Sequence, residues 1–525
     1  MNRGILGFSL IIFAFVINSY SQYYIEPEKN SESYLRKELN MKGYKFSFLI
    51  FLLNLFVVIP GSFAISSVAE LVKENPNVQV AIDVFDAWVQ HRVYKQEIPG
   101  VSIGLVYDQE LIWAKGYGYA NLEKKIPATP STAYRIASLT KLFTATAVLH
   151  LRDAGKLQLD DPVFKHLSWF HLNDRHSDSP VITIRHLLTH SSGLPRELEA
   201  LYWDDMEFPD RDRFIKMFQE SSTILARETK YKYSNVAYAV LGFVVEAVSG
   251  ETYADYVTNY ILKPLRMTST TVLPSPNMQG LATGYKYRQP GRPRMVEPFT
   301  DKKAMVSAGN IASTVEDLAK FLSLQFREGL AEGGQILKGS TIKEMHRVHW
   351  LNKDWSVARG LGWSVTRVND QTRIRHTGYV PGHTSLISAA PDEKFGVVVL
   401  TNAGDGGPGE IAEQVWTLVA PVVKGAVEIK EEIPIADPSW RKFVGIYEWF
   451  DGSLLQVMLL HNELALIDPD SDNPWEDRVR LEHISHNTFK MLNQSQEGEL
   501  IRFETNENGE ITRIIMPGYS LKRKK

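Results

Sequence analysis

A serine three residues ahead of a lysine, Ser138 and Lys141 in the stretch RIASLTK, is a pairing that can do chemistry. On a helix, residues three apart face the same way, so an amine comes within reach of a hydroxyl. A serine at a helix N-terminus also lies beside free backbone N–H groups and the positive end of the helix dipole. That setting suits the oxyanion of an acyl transfer. A serine there could equally be a cap or a core residue. Two further Ser-x-x-Lys copies, Ser340/Lys343 and Ser439/Lys442, follow a Gly or a Pro and precede ordinary polar sequence. Both are read as helix caps.

Two other motifs accompany the first copy downstream: Tyr233-Ser234-Asn235 in KYKYSNVAY, and His376-Thr377-Gly378 in RIRHTGYVPGHTS. The ordered set Ser-x-x-Lys, Tyr-x-Asn and His-Thr-Gly resembles the class C β-lactamase and DD-peptidase (penicillin-binding protein-like) superfamily of serine hydrolases. The resemblance covers roughly residues 80–420, and the phrases GYGYANLE, ITIRHLLTHSSGLP and SAGNIAST are also typical of it. The C-terminal part resembles the lipocalin-like domain often appended to these enzymes. A second Tyr-x-Asn, Tyr119 and Asn121, precedes the serine and does not fit the family order.

The resemblance implies an acyl-enzyme on Ser138. Lys141, if desolvated, could take the serine proton as a neutral amine. Tyr233 could take it if nearby cations stabilise its phenolate. The sequence does not separate the two; Tyr233 is taken as the main base, with Lys141 positioning and relaying. Asn235 is expected to hydrogen-bond a substrate amide. Thr377 and Gly378 are expected on a sheet edge along which an acyl chain can pair. The backbone N–H groups of Ser138 and Tyr379 are expected to form the oxyanion hole. His376 stands where β-lactamases usually carry lysine, and its partial charge near neutral pH lowers the expectation of efficient β-lactam hydrolysis. His190 and His383 are expected to support the site rather than react. The implied activity is a peptidase of D-Ala-D-Ala carboxypeptidase or D-aminopeptidase type. A carboxylesterase or weak β-lactamase of the same fold, and a non-catalytic penicillin-binding sensor or scaffold, are the alternatives.

The elements that must position these residues are legible as patterns. VQVAIDVFDAWVQHRV has helical apolar spacing, and GVSIGLVYDQELIWAKGYGYANLE reads as two strands joined at 108–110. The helix after Ser138 carries no charge between Lys141 and Arg152, so it is expected to be buried all round. NVAYAVLGFVVEAVSG is a second strong helix, STVEDLAKFLSLQF opens with a capping box of Ser313 and Glu316, and IAEQVWTLVAPVV is a closing helix. Strands return in 373–402. The fold class is therefore α+β: a β-lactamase/transpeptidase-like sandwich of an antiparallel sheet flanked by helices plus an all-helical region. A small C-terminal barrel follows, because seven or eight short alternating runs fill the last ~90 residues, with a hairpin signal at Asn508-Gly509. The expected domains are 65–424 for the hydrolase, 425–437 for a linker and 438–525 for the barrel. The barrel is expected to shape substrate access or mediate homo-oligomerisation, or else to be a packing domain with no direct role.

Composition bounds the rest. The 525 residues are 44% hydrophobic and 23% charged, with a net charge of −3, so no global field favours nucleic acid. The absence of cysteine excludes disulfides, thiolate metal sites and cysteine nucleophiles. His166, His171 and His176 match no metal-ligand spacing, and MHRVHW lacks the glutamate of a zincin motif. No metal or cofactor is expected. Partners are a small peptide, ester or β-lactam-like substrate. Residues 1–64 hold two successive signal-like patterns, a basic start with an apolar run, and then Lys42 and Lys45, an apolar run from Phe46 to Ile59, and Ser62-Phe63-Ala64. Export, or membrane association through the N-terminus, is expected, with Met41 as the translation start. The rival reading is one or two membrane-spanning helices.

Overall fold

The computed structural model describes residues 67–524, apart from 201, 328–334, 369–370, 429–436, 461–462 and 493–496. The signal-like patterns of 1–64 and most of the expected linker lie outside the described residues.

Helix α1 (Pro76–Lys95) starts on Asn75, whose side chain accepts from the N–H groups of Asn77 and Val78, with Pro76 at the first helical position. Strand β1 (Gly100–Tyr107) is buried along its whole length, and β2 (Glu110–Asn121) returns antiparallel beside it. Helices α2 (Thr140–Asp153), α3 (Asn235–Ser249) and α4 (Val315–Leu324) are inserted before the chain returns to the sheet. The returning strands are β3 (Ser364–Val368), β4 (Gln371–Val380), β5 (His383–Ala390) and β6 (Phe395–Thr401). The sheet order is β2-β1-β6-β5-β4-β3, extended by short strands to nine in all. β1, β5 and β6 are buried at every residue because helices cover both faces, which is why β1 and β6 read as largely apolar runs.

One helical layer holds α2, α3 and α4 and shares a core with Val106, Ile374, Ile387, Val398 and Leu400 of the sheet. The opposite layer holds α1 and the helical run after Pro408, packed on Val101, Ile103, Leu105, Val397 and Val399. As its charge pattern predicts, α2 is buried around its circumference from Thr140 through Leu149. The N-cap of α4 lies one residue later than expected. Thr314 accepts from Asp317 N at 3.1 Å, whereas Ser313 is drawn into a short strand opposite Tyr134 and its Oγ meets Thr270 Oγ1 at 2.7 Å.

Neither distant Ser-x-x-Lys copy is a cap. Ser340 lies inside the first turn of Gly339–His346, which has no side-chain cap. Ser439 is itself capped, its N–H donating to Asp437 Oδ1 at 2.9 Å. The charged carboxylate takes the capping role from the hydroxyl.

The last 80 or so residues close an eight-stranded antiparallel barrel, from Gly445–Glu448 to Tyr519–Arg523, sealed by the pairings Tyr447↔Arg523 and Glu448↔Lys522. Phe443, Tyr447, Phe489, Met491, Phe503 and Leu521 fill it, so the barrel is a packed core. Met458, Leu460, Ala465 and Ile467 face outward and join the α1 layer. The barrel therefore docks on the sheet face opposite α2 and α3. The closing helix runs to Glu428, four residues into the stretch that reads as a linker. Among the described residues no helix is long and apolar enough to cross a membrane.

Candidate active site

Ser138 lies in a short 3₁₀ turn, Ala137–Leu139, that runs directly into α2. Ala137 is left-handed, with φ at 49°. Such a backbone costs on the order of 1–3 kcal/mol in a non-glycine residue. The turn is held by Ile136 N donating to Ile311 O at 2.9 Å and by Ser385 Oγ donating to Ile136 O at 2.8 Å.

Lys141, one turn on, is fully buried. Its Nζ lies 2.6 Å from Ala308 O, 2.8 Å from Asn235 Oδ1 and 3.2 Å from Ser138 Oγ. Tyr233 OH donates to Ser138 Oγ at 2.8 Å. The serine, the amine and the phenol thus meet at one hydroxyl, although they are 95 positions apart in the chain at the extremes.

The entry to α3 places Tyr233 and Asn235. Ser234 caps the helix by accepting from Ala237 N at 2.9 Å, and its Oγ donates to Pro195 O at 2.7 Å. Its N–H donates to His190 Nδ1 at 3.1 Å. His190 is buried, with its ring 4.5 Å from the Tyr233 ring and 5.0 Å from that of Tyr238. Burial holds it neutral, well below the usual imidazole range. It therefore orders Tyr233 through the Ser234 backbone and by ring packing.

Strand β4 supplies the other wall. It is flanked on both sides, so it is not an edge strand as a whole. However, β3 pairs with it only over Gln371–Arg375, while β5 pairs through Val380. The side of His376–Val380 away from β5 is thus a local edge, and it faces the Ser138 turn. Thr377 and Tyr379 are exposed; His376 and Gly378 are buried. A Cβ on Gly378 would lie 2.2 Å from Ser385 Oγ and 2.3 Å from Ile136 O. Gly378→Ala is expected to push β4 off the nucleophile turn, destabilising the fold by about 1–3 kcal/mol. Thermal unfolding and covalent labelling of Ser138 check it: both should fall together.

His376 Nδ1–H donates to Thr377 O at 2.8 Å, leaving Nε2 as an acceptor. Burial, helped by Lys141, lowers it to about 3. It is neutral at physiological pH and supplies no positive charge. His383 pairs with Val380, which borders the cavity. At the start of β5 it packs edge-on against Tyr134 at 6.2 Å and does not border the cavity, and burial lowers it to about 3.

A cavity of about 550 Å³ opens above Ser138, bordered by Tyr233, Asn235, His376, Thr377 and Tyr379. Lys141 lies behind the serine, off the cavity wall. The motifs do not include several lining residues: Arg196 and Glu197, which directly follow the SSGLP phrase, and Arg359 and Arg375, the latter adjoining His376. Trp203, Phe208 and Lys302 come from irregular segments with no motif at all. Lys302 Nζ lies 3.5 Å and 3.9 Å from the Trp203 and Phe208 ring centres, and burial, reinforced by Arg135, lowers it to about 6. Arg196 lies over the Tyr233 ring at 5.3 Å and Arg359 over the Tyr231 ring at 4.3 Å.

Burial dominates the electrostatics of the triad. It lowers Lys141 to about 7, against the pull of Glu197 and with help from Arg196. It raises Tyr233 to about 12, although the Ser138 hydrogen bond and Arg196 pull the other way. A neutral Lys141 has two N–H donors and one lone pair. Ala308 O and Asn235 Oδ1 take the donors, so the lone pair is left for Ser138 Oγ–H. Among the described residues no group of three or more His, Cys, Asp or Glu side chains is gathered to hold a metal.

An antiparallel sheet between two helical layers, with a Ser-x-x-Lys turn opening a buried helix beside the strand carrying His-Thr-Gly, defines the β-lactamase/transpeptidase-like class of fold. The family model for Beta-lactamase matches residues 85–420, and the chain belongs to that family of β-lactamase- and penicillin-binding-protein-like serine hydrolases. It is 32% identical over 329 residues to Protein flp of Staphylococcus aureus (strain MRSA252), which covers 60% of this chain and 62% of that protein. It is 28% identical over 313 residues to Beta-lactamase-like protein 2 of Dictyostelium discoideum, covering 58% and 56%. The chain thus spans about three fifths of the length of the curated relatives it matches. Among solved structures, the octameric penicillin-binding protein homologue from Pyrococcus abyssi superposes with a TM-score of 0.57 and 25% identity, over 84% of this chain and 99% of that one. A beta-lactamase/D-alanine carboxypeptidase from Yersinia pestis gives 0.55 and 24%, over 66% and 99%, a likeness of fold alone.

Proposed function

We propose that this protein hydrolyses its substrate through an acyl-serine on Ser138, as a peptidase of D-Ala-D-Ala carboxypeptidase or D-aminopeptidase type. The observation that carries the reading is a solvent-open Ser138 Oγ held between Lys141 Nζ and Tyr233 OH. Neutral Lys141 accepts the Oγ proton as Oγ bonds to the carbonyl carbon. The tetrahedral oxyanion forms between the N–H groups of Ser138 and Tyr379. As the C–N bond breaks, the Tyr233 hydroxyl gives its proton to the leaving amine and regains one from the Lys141 ammonium. Water then cleaves the ester with the same groups. This order reverses the sequence-based preference for Tyr233 as the main base, because burial favours the neutral form of both groups.

The cavity wall supports a substrate bearing a carboxylate. Arg196, Arg359 and Arg375 border it against one carboxylate, Glu197, which is already engaged by Asn235 and Tyr202. Guanidinium groups pair with carboxylates in two-pronged fashion. A neutral His376 leaves that task to the arginines. The apolar side formed by Trp203, Phe208 and Met305 would also accept an ester, and carboxylesterase or weak β-lactamase activity is the second reading. Residues 65–525 assayed on D-Ala-D-Ala peptides, p-nitrophenyl esters and nitrocefin separate these. Peptide turnover is expected; turnover of esters alone ends the peptidase reading.

The proposal extends to export, supported by the two signal-like patterns before residue 65. Amino-terminal sequencing of the mature protein tests it, and a chain that begins before residue 41 rules out Met41 as the start. It also includes a homo-oligomer, suggested by the octameric Pyrococcus homologue. Sedimentation of the purified protein decides that point, and a monomer at all concentrations ends it.

A further inference from the structure

We propose that Glu197 is a positioning residue for Lys141, acting through the side-chain amide of Asn235. Asn235 Nδ2 donates to Glu197 Oε1, while Asn235 Oδ1 accepts from Lys141 Nζ at 2.8 Å. An amide can sit in either of two orientations related by a flip. Here the flipped orientation would aim N–H groups at the amine and an oxygen at a carboxylate, so Glu197 selects the one that leaves an acceptor for Lys141.

Glu197 is itself tied down. The buried Tyr202 donates to its Oε2 at 2.8 Å and accepts from Leu198 N at 3.0 Å. The adjoining backbone grips the start of α3, with Asn235 N donating to Arg196 O at 2.9 Å. The result is an unbroken chain of contacts, Tyr202–Glu197–Asn235–Lys141–Ser138, that ends on the nucleophile. It also changes what Asn235 can do. The Asn235 oxygen and one of its two N–H donors are committed within the protein, so a substrate amide meets what remains.

Glu197 has a second effect, by charge. The groups facing Lys141 from the surrounding elements are the cation Arg196, the amine of Lys302, which burial lowers to about 6, the phenols Tyr233 and Tyr238, and the imidazoles His190 and His376, which burial keeps neutral. Glu197 is the anion in this set, and it favours the charged form of Lys141. Its removal makes the amine shed its proton more easily.

The inference rests on Ser138 being the nucleophile and Lys141 its proton acceptor. The test is the rate of Ser138 modification by a fluorophosphonate as a function of pH, in wild type, Glu197→Gln and Glu197→Asp. Wild type should show an acid limb. Glu197→Gln, which keeps an oxygen for Asn235 but loses the charge, should move the limb to lower pH by about one pH unit. Glu197→Asp, which keeps the charge but draws it back, should hold the limb and lower the plateau. An unmoved limb in Glu197→Gln, or an equal movement in both variants, overturns the role of Glu197. No adduct on Ser138 in wild type overturns the parent reading instead.

Discussion

Ser138→Ala is expected to lower turnover by ~10⁴-fold or more, the scale seen when a covalent nucleophile is removed. The fold should survive. Ser138 is half-buried, and without its Oγ the Lys141 amine keeps Ala308 O and Asn235 Oδ1 as acceptors. Intact mass after a fluorophosphonate or penicillin probe should show one adduct on wild type, on the peptide containing Ser138, and none on the variant. Equal activity in the two proteins would remove Ser138 from the mechanism. A wild-type adduct that forms and never turns over would make the protein a sensor that acylates rather than a hydrolase. The adduct should form faster as pH rises through about 7, because Lys141 must lose its proton before it can accept the serine's.

The main lines of this arrangement are visible in the sequence for a physical reason. A hydroxyl, an amine and a phenol that must meet at one atom are bound to short helix and strand starts, and those starts carry strong local signals. The Gly that lets β4 approach Ile136 O, the uncharged run of α2 and the Ser cap before α3 all appear as motif or pattern. The short strands of the C-terminal barrel also show in alternation and turn residues, as at Asn508-Gly509, whereas strand order and closure come from the folded chain. The cavity wall does not follow. Glu197, Trp203, Phe208 and Lys302 lie on irregular backbone, where no periodicity links residue type to direction. Only the folded chain shows that Lys302 lies between two aromatic rings, or that Glu197 meets Asn235. His383 shows what position in the sequence leaves open. Nearness in sequence to an active strand suggests the site, yet its position opposite Val380 on β5 turns it into the core against Tyr134. The proton acceptor was undecidable from the sequence because it depends on relative burial, and residue identity does not report burial.

Lys141→Met should abolish most of the activity, by ~10³-fold or more, and should also change how stability depends on pH. The sign follows from the proton count. Burial places the folded-state amine at about 7, far below its ordinary value of 10.5. Between those two values the unfolded chain holds a proton that the folded chain has released. Stability therefore rises with pH across that window, and it is lower below about 7, where the buried amine is charged. Methionine, of similar length and without charge, removes the linkage. Its own cost is the loss of donors for Ala308 O and Asn235 Oδ1, on the order of 1–3 kcal/mol for each acceptor left unpaired. That cost does not vary with pH over this range. The comparison to make is the difference in unfolding free energy between wild type and variant at pH 7 and at pH 10, from urea melts in which all other groups cancel. Wild type should gain on the variant by a few kcal/mol between the two pH values. A constant difference would mean that Lys141 keeps its proton in the folded protein, and the serine would then need another base, with Tyr233 in direct contact to take the role.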